Sequence, residues 1–360
     1  MASASNILLV QLGDIGDVVL TTPSIRAIKE KYPGAFVSVM VRKPFGGLLA
    51  ADPHLHEVVE AGKVRGNPLK AFAGQASLVR RIRKARYDLV IDLRTGDRGA
   101  VMSFLTGART RVGVHCKKPV WRNLLFTRTV RDLMPAPLPV HPGADQSLRI
   151  LRAIGIETKD SMPRLYFSQN DLARARTLVS ESGLPRGTRL ITINPFSRWK
   201  YKEWPGRKWG EVIDELWGNC RVPSVLVGSK DESPEAEKIR TGREGHTFNL
   251  AGKTNLPELS ALIALSALQL GVDSAASHIA AAVGTPTITI HGPTDWRDWR
   301  VLDGLHRVVA PEMHCLPCSN KGCNGSGKSI CLDELTAVPV IKEALSILDM
   351  KKTGPVAIRE

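Results

Sequence analysis

Short apolar runs alternate with amphipathic stretches along the whole chain. The runs predict buried strands at 6–12, 36–41, 88–93 and 111–114, and in the second half at 190–194, 224–228, 268–272 and 287–291. Between them, helical periodicity predicts helices at 23–31, 75–86, 145–154, 171–181, 208–216, 234–240, 256–266 and 274–283. Apolar strands that alternate with helices are typical of parallel sheets covered on both faces. We therefore predict an α/β protein with two Rossmann-like domains facing one another across a cleft.

The boundary between the two domains falls in the middle of the chain. A polar stretch at 157–164 follows one helical pattern, and the next predicted helix begins at 171. We place the hinge at 167–170, which gives domains of residues 1–167 and 168–360. The second domain includes a cysteine-rich segment at 315–331 and a C-terminal helix. Ligands of open α/β sheets bind at the carboxyl ends of the strands, so the loops after strands should carry the chemistry.

Composition places the chain among globular proteins. It has 360 residues, 43% hydrophobic and 24% charged, which excludes a disordered or collagen-like chain. No apolar run approaches the roughly 18–20 residues of a membrane span, and the opening apolar run is too short for a signal peptide. We expect a soluble, cytoplasmic protein.

The positive charge of the chain lies mainly in its first half. The net charge is +15, and residues 1–150 hold 23 Lys and Arg against 11 Asp and Glu, a balance of +12. This excess indicates an anionic partner, and nucleic acid, an anionic membrane and a phosphorylated substrate all fit the charge. Aromatic residues are only 5% of the chain and no basic–aromatic stacking motif stands out, which argues against nucleic acid.

The loop after the first predicted strand combines two glycines with two carboxylates. Gly13 and Gly16 allow a tight turn, and Asp14 and Asp17 stand at the mouth of the next helix. The loop lacks the G-x-G-x-x-G pattern, which argues against a dinucleotide site. Asp17 is either a helix N-cap or a base that removes a proton from an acceptor hydroxyl.

The loop after the predicted strand at 190–194 is rich in cations. Ser197, Arg198, Lys200 and Lys202 place one hydroxyl and three positive charges at a strand end. Such groups suit the binding of a diphosphate, and an exposed basic loop fits the pattern equally well.

The loop after the predicted strand at 268–272 leads into an alanine-rich helix. Its amides favour an anion, and Asp273, beside Ser274, could hold a sugar hydroxyl. His278 lies one turn into the helix. A packing histidine is the alternative for His278, but its acidic and hydroxyl neighbours favour a binding role.

Residues 322–329 match the P-loop pattern G-x-x-x-x-G-K-[ST], including Lys328. A P-loop joins a buried strand to a helix, whereas the residues before this segment are polar and contain a proline. We interpret the match as accidental and keep an NTPase as a remote alternative.

Four of the six cysteines lie in the same segment, with the spacing C-x2-C-x4-C-x7-C. They are Cys315, Cys318, Cys323 and Cys331. In a cytosolic chain this clustering favours a structural zinc ion, although the spacing matches no standard finger. Disulfides and free thiols remain open as alternatives.

Taken together, these motifs resemble glycosyltransferase family 9, from residue 7 to about residue 336. The motifs that carry the resemblance are 12–20 with Thr22 and Pro23, 87–93, 202–205, 250–254, Asp273 and Ser274 with Ser277 and His278, and 292–294. The resemblance implies a GT-B fold, an acceptor-binding first domain, a nucleotide-sugar-binding second domain, and no cofactor or catalytic metal.

The resemblance also implies the reaction, which is inverting transfer of heptose from ADP-heptose to the inner core of lipopolysaccharide. It makes Asp17 the general base and places Lys202 near the diphosphate. It assigns donor binding to Ser197, Arg198, Lys202, Glu232, Asp273, Ser274 and His278. We assign acceptor binding to Gly16, Arg94 and Arg98, and expect no metal ligands in the site.

One departure from the family pattern concerns the donor. The family often has glycine where this chain has Ala275, so another nucleotide-sugar, used for a different surface glycan, is an alternative donor. The basic first domain then predicts an anionic, lipid-linked saccharide acceptor at the inner leaflet of the membrane, and no nucleic acid.

Overall fold

The computed structural model describes residues 4–62, 68–131, 133, 136, 140–301 and 303–350, without the side chains of 68–71 and 350. Within this part of the chain, no helix has the length and apolar character needed to cross a membrane. Contacts between residues divide the chain into two compact units, residues 1–166 and 167–360.

The first unit is a six-stranded parallel sheet flanked by helices, with the strand order β3-β2-β1-β4-β5-β6. Its strands are β1 (Asn6–Gln11), β2 (Phe36–Arg42), β3 (Glu57–Ala61), β4 (Leu89–Asp92), β5 (Thr110–Val114) and β6 (Arg128–Val130). Its helices are α1 (Ile15–Val19), α2 (Thr22–Lys31), α3 (Pro68–Lys84), α4 (Asp97–Leu105) and α5 (Pro142–Arg152), with 3-10 turns at Phe45–Leu49 and Val120–Leu125. The chain order reverses between β1 and β4, so the loops after these strands flank the crevice where such sheets bind ligands.

The second unit repeats this plan with the strand order β12-β11-β10-β7-β8-β9. Its strands are β7 (Ile191–Asn194), β8 (Ser224–Leu226), β9 (Thr247–Asn249), β10 (Leu268–Val272), β11 (Thr287–Ile290) and β12 (His306–Val309). Its helices are α6 (Gln169–Glu181), α7 (Gly206–Cys220), α8 (Ser233–Arg240), α9 (Leu256–Ala264), α10 (Ala275–Ala282), α11 (Ile330–Glu334) and α12 (Val338–Met350). Here the reversal lies between β7 and β10, which directs attention to the loops after those two strands.

Both sheets are covered by helices on two faces, which explains the continuous apolar strands in the sequence. Ile7, Leu8, Leu9 and Val10 of β1 are fully buried, so both faces of this central strand lie in the core. In the second unit, α7 inserts the fully buried Trp209, whose ring meets the edge of Trp204 at 5.1 Å.

The predicted fold class, two parallel α/β sheets of Rossmann type, is confirmed. Each predicted strand lies within or overlaps an observed one. The four unpredicted strands, β3, β6, β9 and β12, are the outermost strands of their sheets. Outer strands have a neighbour on one side only, and most residues of these four are only partly buried, so their partly polar sequences give a weak apolar signal. The helical periodicity of the sequence also did not predict helix α4.

Lys208 is a buried cation that donates hydrogen bonds to the carbonyls at the C-terminal end of helix α11. It lies in the first turn of α7, and its ammonium donates to the carbonyls of Leu332, Asp333 and Leu335, the last at 2.6 Å. These carbonyls lie at the end of α11, where no intrahelical donor remains for them. Lys208 therefore ties α11 to α7.

Lys208→Ala should lower the free energy of unfolding by about 2 kcal/mol, because buried carbonyls lose their donor. Urea denaturation followed by circular dichroism measures the change. The neighbouring Arg207 is exposed, so Arg207→Ala should stay within about 0.5 kcal/mol of the wild type. Equal losses in the two variants would contradict this role of Lys208.

Candidate active site

The loop between β1 and α1 holds Asp17 in a defined position. Asp14 is the N-cap of α1, and its backbone N–H donates to Asp17 Oδ2 at 2.8 Å. Arg94, from the loop after β4, makes an ion pair with the same carboxylate oxygen. A Cβ atom at Gly13 would overlap both side chains, so this glycine permits their close approach. The carboxylate is one-quarter exposed, which leaves it accessible from solvent.

Two further arginines surround this loop. Arg42, the last residue of β2, contacts Asp14 Oδ1 at 2.7 Å through Nη1. Arg98, in the first turn of α4, donates to the carbonyl of Gly62, and burial together with the charge of Arg42 lowers its pKa from the usual value. Gly16 lies within α1, where its carbonyl accepts the N–H of Leu20 at 2.9 Å. The three arginines outnumber the two aspartates, so the cluster suits an anionic ligand.

A buried pair beneath the loop holds Arg94 in place. Asp92 Oδ1 accepts the backbone N–H of Arg94 at 3.1 Å, and Arg122 Nη2 donates to the Arg94 carbonyl at 3.1 Å. Both side chains are almost wholly buried, and their charged ends lie 3.7 Å apart. Burial raises the pKa of Asp92 to about 7, although the Arg94 N–H and the Arg122 charge act in the opposite direction.

In the second unit, charged and polar side chains meet at Asp273, directly after β10. Its Oδ2 accepts from Lys202 Nζ at 2.6 Å and from Thr294 Oγ1 at 2.7 Å, and His291 Nδ1 lies 4.0 Å away. Burial alone would raise the pKa of Asp273, but His291, Lys202 and Thr294 outweigh it and lower this pKa to about 2. Burial lowers the pKa of His291 to about 4, so it is neutral at pH 7 and Lys202 is the cation that compensates Asp273.

The loop after β7 is fixed to this cluster through Ser197. The Ser197 hydroxyl donates to the Asp273 carbonyl at 3.4 Å, and its backbone N–H donates to Glu203 Oε1 at 2.9 Å. Arg198 is exposed and lies over the Trp199 ring at 5.1 Å. The loop therefore carries an exposed cation four residues before Lys202, whose pair with Asp273 is largely shielded from solvent, with side chains 16% and 10% exposed.

Helix α10 begins directly after Asp273 and Ser274. Ser274 is its N-cap residue, and the Ser274 hydroxyl is buried with no hydrogen-bond partner among the residues that the structure describes. His278, one turn further, packs its ring 6.0 Å from that of Trp299. An unpartnered hydroxyl at a helix N-terminus suits an incoming anion.

Glu232 follows the neighbouring strand β8. Its Oε2 accepts the backbone N–H of Ser229 at 2.6 Å, so one oxygen of the carboxylate is used in the local turn. The side chain lies close to Gly228, which also contacts the ring of Phe196. Glu232 therefore stands at the same edge of the sheet as Ser197 and Asp273.

Comparison with known proteins gives the family. The profile described as "Glycosyltransferase family 9 (heptosyltransferase)" matches residues 75–328. Lipopolysaccharide heptosyltransferase 3 from Escherichia coli is 30% identical over 294 residues, which cover 79% of this chain and 83% of that protein. The chain belongs to glycosyltransferase family 9.

Solved structures of heptosyltransferases share the fold of this glycosyltransferase. The structure of E. coli ADP-heptose lps heptosyltransferase II matches with a TM-score of 0.77 at 21% identity, covering 97% of this chain and 100% of that one. E. coli heptosyltransferase WaaC with ADP-2-deoxy-2-fluoro heptose matches with a TM-score of 0.69 at 19% identity, covering 95% and 99%. The predicted family and the GT-B fold class are thus confirmed.

The structure of this family 9 glycosyltransferase brings many of the predicted site residues into contact. Asp17 meets Arg94 in the first unit, and Ser197, Lys202 and Asp273 meet in the second. The sequence analysis assigned no site role to five residues of these clusters, namely Arg42, Asp92, Arg122, His291 and Thr294, although Asp92 and Thr294 lie in its motifs 87–93 and 292–294. All but Arg122 end a parallel strand or closely follow one, so the rule for strand ends could have found them.

The P-loop match of this glycosyltransferase has the wrong surroundings for nucleotide binding. Residues 310–321, directly before it, contain no strand, and a single 3-10 turn, Cys323–Gly325, lies within it. The backbone N–H of Cys323 donates to the Lys328 carbonyl at 2.7 Å, which closes the segment on itself. The geometry agrees with an accidental match.

The clustered cysteines are free thiols in the structure. Burial raises the pKa of Cys331 to about 11, and the neighbouring Cys323, Cys318 and Cys315 act in the same direction. Among the described residues, no group of three or more His, Cys, Asp or Glu side chains is arranged to hold a metal ion. The zinc site suggested by the spacing stays a prediction.

The raised pKa of Asp92 predicts a specific pH dependence. The unfolded chain releases this proton near the ordinary value of 3.8 and the folded protein near 7, so the folded state binds more protons between these values. The stability that protonated Asp92 contributes to the wild type is present below about pH 4 and is lost as the pH rises to about 7. Asp92→Asn should remove this loss, as urea denaturation at several pH values would show.

Asp88→Asn is the matched control on the same segment of chain. Hydrogen bonds from Ser5 lower the pKa of Asp88 from its ordinary value of 3.8. The stability that Asp88 contributes is therefore lost only as the pH drops below about 4, outside the range in which Asp92 titrates. Asp88→Asn should keep the wild-type decline between about pH 4 and 7. If Asp92→Asn declines in parallel with the wild type, Asp92 does not titrate as described.

Proposed function

We propose that the protein is an inverting glycosyltransferase that transfers heptose from ADP-heptose to the inner core of lipopolysaccharide. The observation that carries this proposal is the largely shielded Lys202–Asp273 pair beside the unpartnered Ser274 hydroxyl at the start of α10. The names of the relatives support the substrates, because they are lipopolysaccharide heptosyltransferases and one was solved with an ADP-heptose analogue.

The second domain, residues 168–360, binds the donor in this proposal. One hydrogen of the Lys202 ammonium goes to Asp273, which orients the other two toward the diphosphate. Arg198 adds a second cation, and the α10 amides with Ser274 stabilise negative charge on the departing ADP. Ser197 fixes the donor loop, Glu232 accepts a ribose hydroxyl, and His278 lines the same end of α10.

The first domain, residues 1–167, binds the acceptor and supplies the base. Both contacts of Asp17 fall on Oδ2, so we assign Oδ1 as the oxygen that takes the acceptor proton. The acceptor oxygen bonds to the anomeric carbon, the bond from that carbon to the phosphate oxygen breaks, and the configuration inverts. Arg94, Arg98 and the backbone at Gly16 hold the anionic acceptor.

The basic residues of the first domain also bear on where in the cell the enzyme acts. A first domain with an excess of basic residues suits an anionic, lipid-linked saccharide at the inner leaflet, and we propose a cytoplasmic enzyme that binds this surface peripherally. Nucleic acid has no part in this proposal.

Ala275 is the observation that favours a second candidate. It occupies the first position of α10, directly after Ser274, and it adds a methyl group where the family often has glycine. The second candidate is the same reaction with another nucleotide-sugar, for a different surface glycan. An NTPase centred on Lys328 is disfavoured by the closed geometry of that segment.

Asp17→Asn should lower kcat by about 10²–10⁴-fold, because the acceptor hydroxyl loses its base. Release of ADP from ADP-heptose, with an acceptor of the Kdo–lipid A type, measures the effect. Asp97→Asn, at an exposed carboxylate of the same unit, and Lys328→Ala are the controls and should retain activity.

Turnover with a different nucleotide-sugar and none with ADP-heptose would exclude the heptose donor and support the second candidate. Loss of activity in Lys328→Ala, with activity kept in Asp17→Asn, would overturn the glycosyl-transfer mechanism.

A further inference from the structure

A short turn in the first unit exposes large apolar side chains. In the 3-10 turn Val120–Leu125, Val120 is 64% exposed, Trp121 44% and Leu124 78%. In the same turn, Arg122 is buried and Asn123 is half-buried. The usual arrangement is inverted here, because the polar side chains point inward and the apolar ones point to solvent.

The turn is held in this arrangement by specific contacts. The amide of Asn123 accepts the backbone N–H of Cys116 at 2.9 Å and donates to the Cys116 carbonyl at 2.8 Å. Arg122 reaches inward to the Arg94 carbonyl and to Asp92. The exposure of the apolar side chains is therefore fixed by the fold of the turn.

Helix α4 extends the apolar surface. It packs against the turn, and its Val101 and Phe104, three residues apart, are exposed on one helix face. The Arg111 guanidinium lies 5.5 Å from the centre of the Phe104 ring and donates to the Leu125 carbonyl at 2.9 Å. Arg111 thus joins helix and turn. The docking surface is defined as Val101, Phe104, Val120, Trp121 and Leu124.

The charges around the docking surface indicate which kind of partner it binds. Residues 98–131 contain eight Lys and Arg and no Asp or Glu. Lys117 and Lys118 stand exposed directly before the turn. In a symmetric contact between two copies of the chain, this basic segment would face itself, and the like charges would repel. An apolar patch bordered by cations instead complements anionic lipid headgroups above a hydrocarbon layer.

We propose that the docking surface inserts into the headgroup region of an anionic phospholipid bilayer. Trp121 and Phe104 suit the boundary between headgroups and acyl chains, and Lys117 and Lys118 pair with lipid phosphates. Arg122 links the turn to Arg94, so the docked surface lies beside the loop assigned to the acceptor. The use of this surface to reach a lipid-linked acceptor rests on the proposed function, whereas the membrane binding does not.

Flotation with vesicles of phosphatidylethanolamine and phosphatidylglycerol tests the proposal without any donor or acceptor. The double variant Trp121→Ser, Leu124→Ser should bind these vesicles about tenfold or more weakly than the wild type, because two apolar side chains no longer insert. Leu305→Ser, Val338→Ser is the matched control, since these side chains are 47% and 69% exposed in the other unit. The control should bind as the wild type does.

A second pair of variants tests the charge. Lys117→Gln, Lys118→Gln should weaken binding to anionic vesicles and reduce its dependence on salt, while binding to phosphatidylcholine vesicles stays weak throughout. Wild-type vesicle binding by the Trp121/Leu124 double variant would overturn the proposal. So would a loss of self-association in that variant, measured by light scattering, with vesicle binding unchanged, because the surface would then be a contact between copies.

Activity separates this proposal from the proposed function. With a water-soluble acceptor that lacks acyl chains, the Trp121/Leu124 double variant should keep the wild-type kcat. If no heptosyl transfer is found but vesicle binding depends on the docking surface, the proposed function fails and the docking proposal stands.

Discussion

The carboxylate of Asp273 is nearly surrounded by protein, and a buried negative charge persists only when neighbouring groups compensate it. Lys202 provides the positive charge and Thr294 a hydrogen bond, while His291 stays neutral at 4.0 Å. These partners come from the loops after β7 and β11 and meet at the loop after β10. The need to neutralise one carboxylate therefore fixes three loops and, with them, the position of the Lys202 ammonium.

Two carboxylates of the first unit, those of Asp92 and Asp17, differ in burial. Asp92 is buried, has a raised pKa and fixes the backbone of Arg94, whereas Asp17 remains partly exposed and pairs with the side chain of the same residue. Arg94 thus connects a buried carboxylate to one that is accessible from solvent. Arg122, from the 3-10 turn, donates to the Arg94 carbonyl and so joins the docking surface to the loop of Asp17.

The sequence alone predicted the fold class because buried central strands have an unmistakable apolar pattern. It failed at β3, β6, β9 and β12, since outer strands are only partly buried and need fewer apolar residues. Candidate site residues on strand-end loops, such as Asp17 and Lys202, follow from glycine and charge patterns together with the family resemblance, and the structure places each of them in a cluster of charged side chains. Arg122 could not, because it comes from a 3-10 turn, and its contacts with Asp92 and Arg94 depend on tertiary packing that no local pattern encodes.

Calorimetric titration of ADP tests most directly whether the Lys202–Asp273 pair is the centre of the donor site. Lys202→Gln should weaken ADP binding by about tenfold or more, because a charge-assisted contact to the diphosphate is lost. Lys328→Gln should bind ADP as the wild type does, with the fold of each variant verified by circular dichroism. Unchanged ADP affinity in folded Lys202→Gln, or a loss of affinity only in Lys328→Gln, would contradict the account.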